Sequence, residues 1–445
     1  MRKSKNTVRY KMNIQDILVM EAAEGILLIN PFNAEMMAVD RVDISKVISM
    51  LKKDEYNKTF EYFLKPLTEE EVVRTSICSG SGIGIIPTLK CNFACEYCFE
   101  KNFEKNEMPV DMISKISKFV DQWNQEFQSH MVCEEIGLMG GEVLTEDSRI
   151  LMEKVFQEFG EVKYKITTNG AGIILYRDLI KKYRPKMVVS LDGTEHMQMS
   201  RRKSKIENVY QKIIDGIKFL IKEEIETDIN VVFNASFENE EYKIFLDQLE
   251  SYGWLKEPNF NVVVSVEMDY GIRGCENHKL LRTLEKYRKL LHEDERAKYL
   301  YRDIIPGASR LERILKYKRE QGKVYTSYCG ANRGEGLVFA PDGYVYNCNL
   351  VMSERNRIGQ CYPDTKIYRE KVEEYQKREA DSITECQECK MKLFCGGGCP
   401  ASAITENGTI QSGFCGIWKD EEVLKNLDMV INVEALYKKA RKYEK

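Results

Sequence analysis

The chain has 445 residues and a formal net charge of −3, with 67 basic side chains against 70 acidic ones. That length carries two or three domains around a large core, and the balanced charge gives no electrostatic reason to expect nucleic acid as a partner. With no apolar span long enough to cross a bilayer and no apolar core behind "MRKSKNTVRYKMNIQD", the sequence predicts a cytoplasmic protein that makes no use of a membrane.

The N-terminal run "DILVMEAAEGILLINPFNAEMMAVD" holds two apolar β-like stretches around the turn sequence "NPFN", and the helix-like "ISKVISMLKK" follows. From Ile83 to about Glu293 short apolar runs alternate with amphipathic helical stretches. The predicted strands are "IGIIP" from Ile83, "EEIGLMG" from Glu134, "KYKITTN" from Lys163, "KMVVSLD" from Lys186, "DINVVFNA" from Asp228 and "NVVVSVEMD" from Asn261. Between them, "DMISKISKFVDQWNQEF" repeats Ile113, Ile116, Val120, Trp123 and Phe127 at helical spacing behind Asp111 as its cap. In "ENVYQKIIDGIKFLIKE", Val209, Ile213, Ile217, Leu220 and Ile221 share one side. Six βα units predict a parallel barrel or partial barrel, whose functional residues belong at the C-terminal ends of the strands.

The unusual residues fall at those ends. Cys91, Cys95 and Cys98 follow the first strand as C-x3-C-x2-C; Gly140, Gly141 and Glu142 end the second; Thr167 to Gly170 end the third; Ser190 to Gly193 end the fourth. Each glycine pair alone reads as a turn, whereas four such features on one rim read as a site. Three thiols leave a coordination vacancy, either as half of a zinc site completed elsewhere or as an iron–sulfur cube with one iron free. A reducing compartment disfavours disulfides, so 14 cysteines are better read as metal ligands. A second group comprises Cys329, Cys348, Cys386, Cys389, Cys395, Cys399 and Cys415. Cys78, Cys133 and Cys275 have no motif behind them and read as packed thiols.

The C-x3-C-x2-C run with Tyr97 before its last cysteine resembles the hallmark of the radical S-adenosylmethionine superfamily. The resemblance implies an α/β fold built on a partial (βα)6 TIM-like barrel, and it accounts for the missing fourth thiol. In that family the open iron of a [4Fe–4S] cluster is left to the amino and carboxylate groups of S-adenosylmethionine, which is cleaved to a 5′-deoxyadenosyl radical. By the same resemblance Tyr97, Gly140, Gly141, Glu142, Thr168, Asn169, Ser190 and Arg202 are expected to contact the cofactor, with Arg201 the near alternative to Arg202 and Val143 standing where proline is usual. A cation there suits a carboxylate. The second group resembles the seven-cysteine SPASM extension, which implies two auxiliary [4Fe–4S] clusters and so three in all. Cys386, Cys389, Cys395 and Cys415 are then expected to hold the outer one, and Cys329, Cys348 and Cys399 the inner one, with Cys361 the candidate to close it. The N-terminal region resembles the winged-helix element that grips leader peptides in many maturases by adding the leader as an extra strand. The implied organisation is 1–78 for leader recognition, 79–310 for the barrel and 311–445 for the SPASM domain and C-terminal helix. The implied partners are a precursor peptide with its leader and a flavodoxin or ferredoxin-type electron donor.

Three functional readings follow from different classes. The first is a maturase that installs a thioether from cysteine to carbon in a ribosomally made peptide, or else a carbon–carbon or carbon–oxygen bond. The second is an anaerobic sulfatase-maturating enzyme that makes formylglycine; such enzymes place an aspartate base after the cysteine matching Cys348, where this chain has Asn349. The third is a non-enzymatic zinc-binding scaffold, which predicts a colourless protein.

Overall fold

A computed structural model describes residues 16–53, 58–73, 82–266, 277–300, 308–415 and 433–441. All six predicted strands form, as Gly82–Ile85, Glu135–Leu138, Lys163–Thr168, Lys186–Ser190, Thr227–Phe233 and Phe260–Val266. They lie side by side in chain order, every neighbouring pair parallel. Helices Val110–Phe127, Arg149–Phe159, Arg177–Tyr183, Val209–Lys222 and Asn239–Ser251 connect them, as parallel pairing requires.

Helix Val110–Phe127 buries the predicted Ile113, Ile116, Val120 and Trp123 and adds Met112 and Phe119, whereas Phe127 is only partly buried. Its cap is a correction. The helix starts behind Pro109 with no side-chain cap, and Asp111 lies inside the first turn. Proline supplies a preset φ there, and an acidic residue in the first turn still complements the helix dipole. In helix Val209–Lys222, Leu220 is buried whereas Ile221 is only partly so.

The sheet does not stop at the first parallel strand. Gly336–Phe339 pairs with Gly82–Ile85 in parallel, and Tyr344–Tyr346, Arg357–Gln360 and Lys366–Ile367 continue it as an antiparallel meander, making ten strands in one sheet. The ring of Phe119 meets that of Phe339 edge-on at 5.5 Å. A side chain on Gly359 would come within 2.7 Å of the Phe119 ring, so glycine is what lets this extension seat on the helix.

The N-terminal segment forms a three-stranded antiparallel sheet of Leu18–Glu21, Gly25–Ile29 and Met36–Asp40, followed by helices Ile44–Lys53 and Lys58–Leu64. The "NPFN" turn does more than reverse the chain. Asn30 and Asn33 are buried and donate to the Phe63 carbonyl at 2.7 and 2.9 Å, and Asn33 also reaches the Lys65 carbonyl at 2.9 Å, satisfying orphan groups at the helix end. Helix Val433–Arg441 packs on this sheet, where the Tyr437 hydroxyl donates to Asp40 at 2.6 Å and Arg441 reaches Asp40 and Glu24. First and last described segments therefore form one unit. Among the described residues no helix is long and apolar enough to cross a membrane.

Candidate active site

The loop after the first parallel strand carries Cys91, Cys95 and Cys98, with Cys91 exposed and the other two half-buried. The loop after the second strand lies directly against it: Gly141 N–H donates to the Thr88 carbonyl and Glu142 N–H to the Lys90 carbonyl, both at 2.9 Å. A Cβ on Gly140 would sit 2.3 Å from the Thr88 carbonyl oxygen, and one on Gly141 would sit 2.1 Å from that of Lys90. Glycine at both positions is thus what allows the two backbones to run in contact.

Glu142 turns inward. Its carboxylate, 1% exposed, accepts from Thr168 Oγ1 and the Asn169 N–H at 2.6 Å each and from the Leu144 N–H at 2.9 Å. Burial raises its pKa, and those three donors oppose the rise. The expected pair Thr168 and Asn169 is therefore held to the second strand by Glu142. Asn169 reaches on to Asn92 Oδ1 at 2.7 Å, tying the third strand's end to the cysteine loop. Ser190 lends its carbonyl to Gln198 at 3.3 Å.

Asp192 is the residue that sequence reasoning passed over. It is 1% exposed and accepts from Arg202 through Nε at 3.0 Å and Nη2 at 3.2 Å, from Arg201 at 3.4 Å, from the Val232 N–H at 3.0 Å and from the Tyr97 hydroxyl. Burial acts to raise its carboxyl, but the two guanidiniums and the phenol outweigh it and hold the pKa below the usual range. Both guanidiniums also lie over the Tyr97 ring, at 4.3 and 5.1 Å. The only advance signal was its place in "SLDG", which reads equally well as a turn. Arg202 Nη1 reaches on toward Cys95 Sγ at 4.0 Å. The strand Phe93–Cys95 pairs with Arg202–Ser204 and places Cys95 opposite Arg202.

The C-terminal cysteines separate into two electrostatic neighbourhoods. Cys399 acts on Cys329 and Cys348, and Cys329 on Cys348, whereas Cys389 and Cys415 act on Cys386 and Cys395. Burial, then neighbouring thiols, pushes Cys386 up to about 11 and Cys395 to about 12; burial pushes Cys348 to about 12. Such thiols lose their protons when a metal takes them. Cys361 does not join either group. It is fully buried in the apolar core, with Lys115 as its charged neighbour. The register pairs Tyr344 with Gln360 and Tyr346 with Arg357, so Cys361 and Cys348 leave opposite ends of the ladder, on the order of 10 Å apart. Cys133 is half-buried and packs against the core, as expected; Cys78 and Cys275 lie outside the described residues. Asn349 donates to Met139 Sδ at 3.1 Å, which puts the residue after Cys348 beside the Gly140–Gly141 loop.

No protein-family model matches the chain. It is 22% identical to the serine-type anaerobic sulfatase-maturating enzyme of Klebsiella aerogenes over 329 residues, 70% of this chain and 77% of that one. Its identity to the enzyme of the same description from Bacteroides thetaiotaomicron is 22% over 359 residues, 73% of this chain and 83% of the other. The solved anSMEcpe enzyme with bound AdoMet and a Kp18Cys peptide matches at TM-score 0.57 and 18% identity, over 82% of this chain and 99% of its own. The chain shares its fold with the anSMEcpe enzyme, whose solved structure holds AdoMet.

A radical S-adenosylmethionine site asks for a thiolate trio beside a concave polar rim, and the residues present fit it. Cys91, Cys95 and Cys98 share one loop, the glycine pair lets the second strand's loop run against it, and Arg202 brings a cation. Among the described residues, no three His, Cys, Asp or Glu side chains are gathered tightly enough to hold one metal ion.

Proposed function

We propose that this chain is a radical S-adenosylmethionine maturase that forms a thioether crosslink from a cysteine to a carbon in a ribosomally made precursor peptide. In this reading the six parallel strands are a partial (βα)6 barrel spanning 79–310. Residues 1–78 recognise the leader and 311–445 form the SPASM region. Cys91, Cys95 and Cys98 would hold the cofactor-binding [4Fe–4S] cluster, which, once reduced by one electron from the donor, would supply a 5′-deoxyadenosyl radical and methionine from S-adenosylmethionine. Cys386, Cys389, Cys395 and Cys415 hold an outer auxiliary cluster, and Cys329, Cys348 and Cys399 an inner one. Tyr97, Gly140, Gly141, Thr168, Asn169, Ser190 and Arg202 shape the cofactor pocket. Glu142 and Asp192 position them from beneath. A flavodoxin or ferredoxin-type protein in the cytoplasm is the electron donor.

Asn349 carries the choice of reaction. Its side chain faces Met139 on the rim at 3.1 Å, where the sulfatase-maturating pattern has a carboxylate base. An amide cannot take up a proton at neutral pH. Three cysteines on the inner site, with Cys361 packed away from them, also leave room for a substrate thiolate, whose positioning makes bond formation intramolecular. The step balances: one hydrogen atom leaves carbon for the radical, the thiol proton goes to solvent, the C–S bond forms, and one electron is released to the auxiliary site. Each outer strand of the N-terminal sheet pairs on one side only among the described residues, which suits leader binding by strand addition.

The second reading, formylglycine formation, is favoured by the 22% identical relatives named as sulfatase-maturating enzymes. Mass spectrometry after co-expression with a neighbouring cysteine-containing precursor separates the two. Loss of two hydrogens together with one free thiol, and no aldehyde, is expected. A hydrazide-reactive aldehyde on a sulfatase-type cysteine or serine peptide would establish the second reading instead.

A further inference from the structure

Among the described residues, two buried arginines beside the C-terminal cysteines meet no acid. Arg378 is fully buried; Nε donates to the Ile410 carbonyl, and Nη2 to the carbonyls of Gly397 at 2.8 Å and Ser412 at 3.1 Å. Its Nη1 is buried without a partner. Arg310, 5% exposed, donates to the carbonyls of Tyr328 and Tyr325 at 3.3 Å and of Leu393 at 3.1 Å, and its Nε is likewise unpartnered. Every acceptor is a neutral carbonyl. A buried guanidinium without an anion costs several kcal/mol, so an anion is expected beside these two.

The backbone shows where. Cys395 of one group and Cys399 of the other are joined by Gly396, Gly397 and Gly398, all left-handed at φ 62, 77 and 76°. A Cβ on Gly396 would lie 2.7 Å from Arg310 Nη2, and one on Gly397 would lie 3.5 Å from Arg378 Nη1. One on Gly398 would strike the Phe414 carbonyl oxygen at 1.7 Å. Glycine at 396 lays the connecting chain directly on the Arg310 guanidinium, and Gly397 runs in contact with that of Arg378. Through Gly397, Arg378 is bonded midway between Cys395 and Cys399, while Arg310 is bonded to the carbonyls of Tyr328, next to Cys329, and of Leu393, two residues before Cys395.

We propose that Arg378, with Arg310 beside it, is the shared counter-cation of the two auxiliary clusters and raises the reduction potential of both. The inference rests on the cluster assignment above. A fixed positive charge favours the more negative, reduced form of each cluster, and one charge between the two moves both potentials together. Arg378 is a positioning residue in this scheme, since it acts on substrate only through the clusters.

The test uses the full chain, reconstituted without oxygen and carrying Cys91→Ala, Cys95→Ala and Cys98→Ala, so that only auxiliary clusters report in an electron paramagnetic resonance redox titration. If that protein binds no iron, the cluster assignment itself fails, before any arginine is changed. If it binds iron, adding Arg378→Gln is expected to shift the reduction equilibrium of both clusters about tenfold toward the oxidised form, which is about 59 mV for one electron. Arg378→Lys is expected to restore most of it. Unchanged potentials in an iron-replete Arg378→Gln protein, or a shift that lysine does not restore, would overturn the proposal. Should Arg378→Gln fail to keep its iron, retention by Arg378→Lys and a same-direction shift in Arg310→Gln support it, and iron loss in the lysine variant overturns it.

Discussion

Asp192 and Arg202 meet as a buried two-point pair, Nε on Oδ2 at 3.0 Å and Nη2 on Oδ1 at 3.2 Å, with Arg201 and Tyr97 on the same carboxylate. Removing the acid strands the buried Arg202 guanidinium. Asp192→Asn is therefore expected to lower stability by about 3–5 kcal/mol, measured by urea denaturation, with weaker S-adenosylmethionine binding by calorimetry. Acid acts in the same direction. Because the folded pKa of Asp192 is depressed, its contribution is present above the unfolded value of about 3.9 and is lost as pH falls through the folded one.

Gly141→Ala tests the contact between the first two rim loops. Its Cβ would stand 2.1 Å from the Lys90 carbonyl oxygen, so the cysteine loop must move. Production of 5′-deoxyadenosine, followed by chromatography, is expected to fall at least about a hundredfold, as small displacements of a reacting geometry do, while auxiliary iron is retained.

Replacing Cys91, Cys95 and Cys98 together by alanine removes the only thiols on that loop. The expected result is no 5′-deoxyadenosine, with about four irons lost from a total of about twelve and the remainder kept. Undiminished cofactor cleavage in that variant would refute the roles assigned.

Cys361→Ala separates a packed thiol from a ligand. The side chain is fully buried in the apolar core, so a cost of about 1 kcal/mol from a small cavity is expected. Iron content and the inner-cluster spectrum should not change. Collapse of that spectrum would return Cys361 to the ligand set.

Phe119→Ala removes the ring that holds helix Val110–Phe127 to Phe339 and Gly359. A loss of about 3–5 kcal/mol is expected in thermal or chemical unfolding.

The parts of this molecule that could be read from its sequence are those whose physics is local. Runs such as "KMVVS" and "DINVVF" are apolar and β-branched over enough residues to declare a buried strand. The cysteine trio and the glycine pair announce themselves by spacing. Asp192 could not be found that way, because its meaning depends on Arg201, Arg202 and Val232, which reach it only after the chain has folded. The sheet extension was hidden for another reason: Tyr344–Tyr346 and Lys366–Ile367 are three and two residues long, too short to show a period. Cys361 was attractive for its position near Cys348 in the chain, and only strand register reveals that the two leave opposite ends of a ladder.

The bond between Tyr437 and Asp40 spans 397 positions of chain. During synthesis at about 5–20 residues per second, the N-terminal sheet emerges from the ribosome roughly 20–80 s before the helix that covers it exists. One face of the sheet packs against its own following helices through Ile44, Val47 and Phe63, so the opposite face, with Leu27 and Ile29, is the one that waits for that helix. A nascent chain stalled short of residue 433 is accordingly expected to stay protease-sensitive around Gly25 and to gain protection only once Val433–Arg441 has emerged.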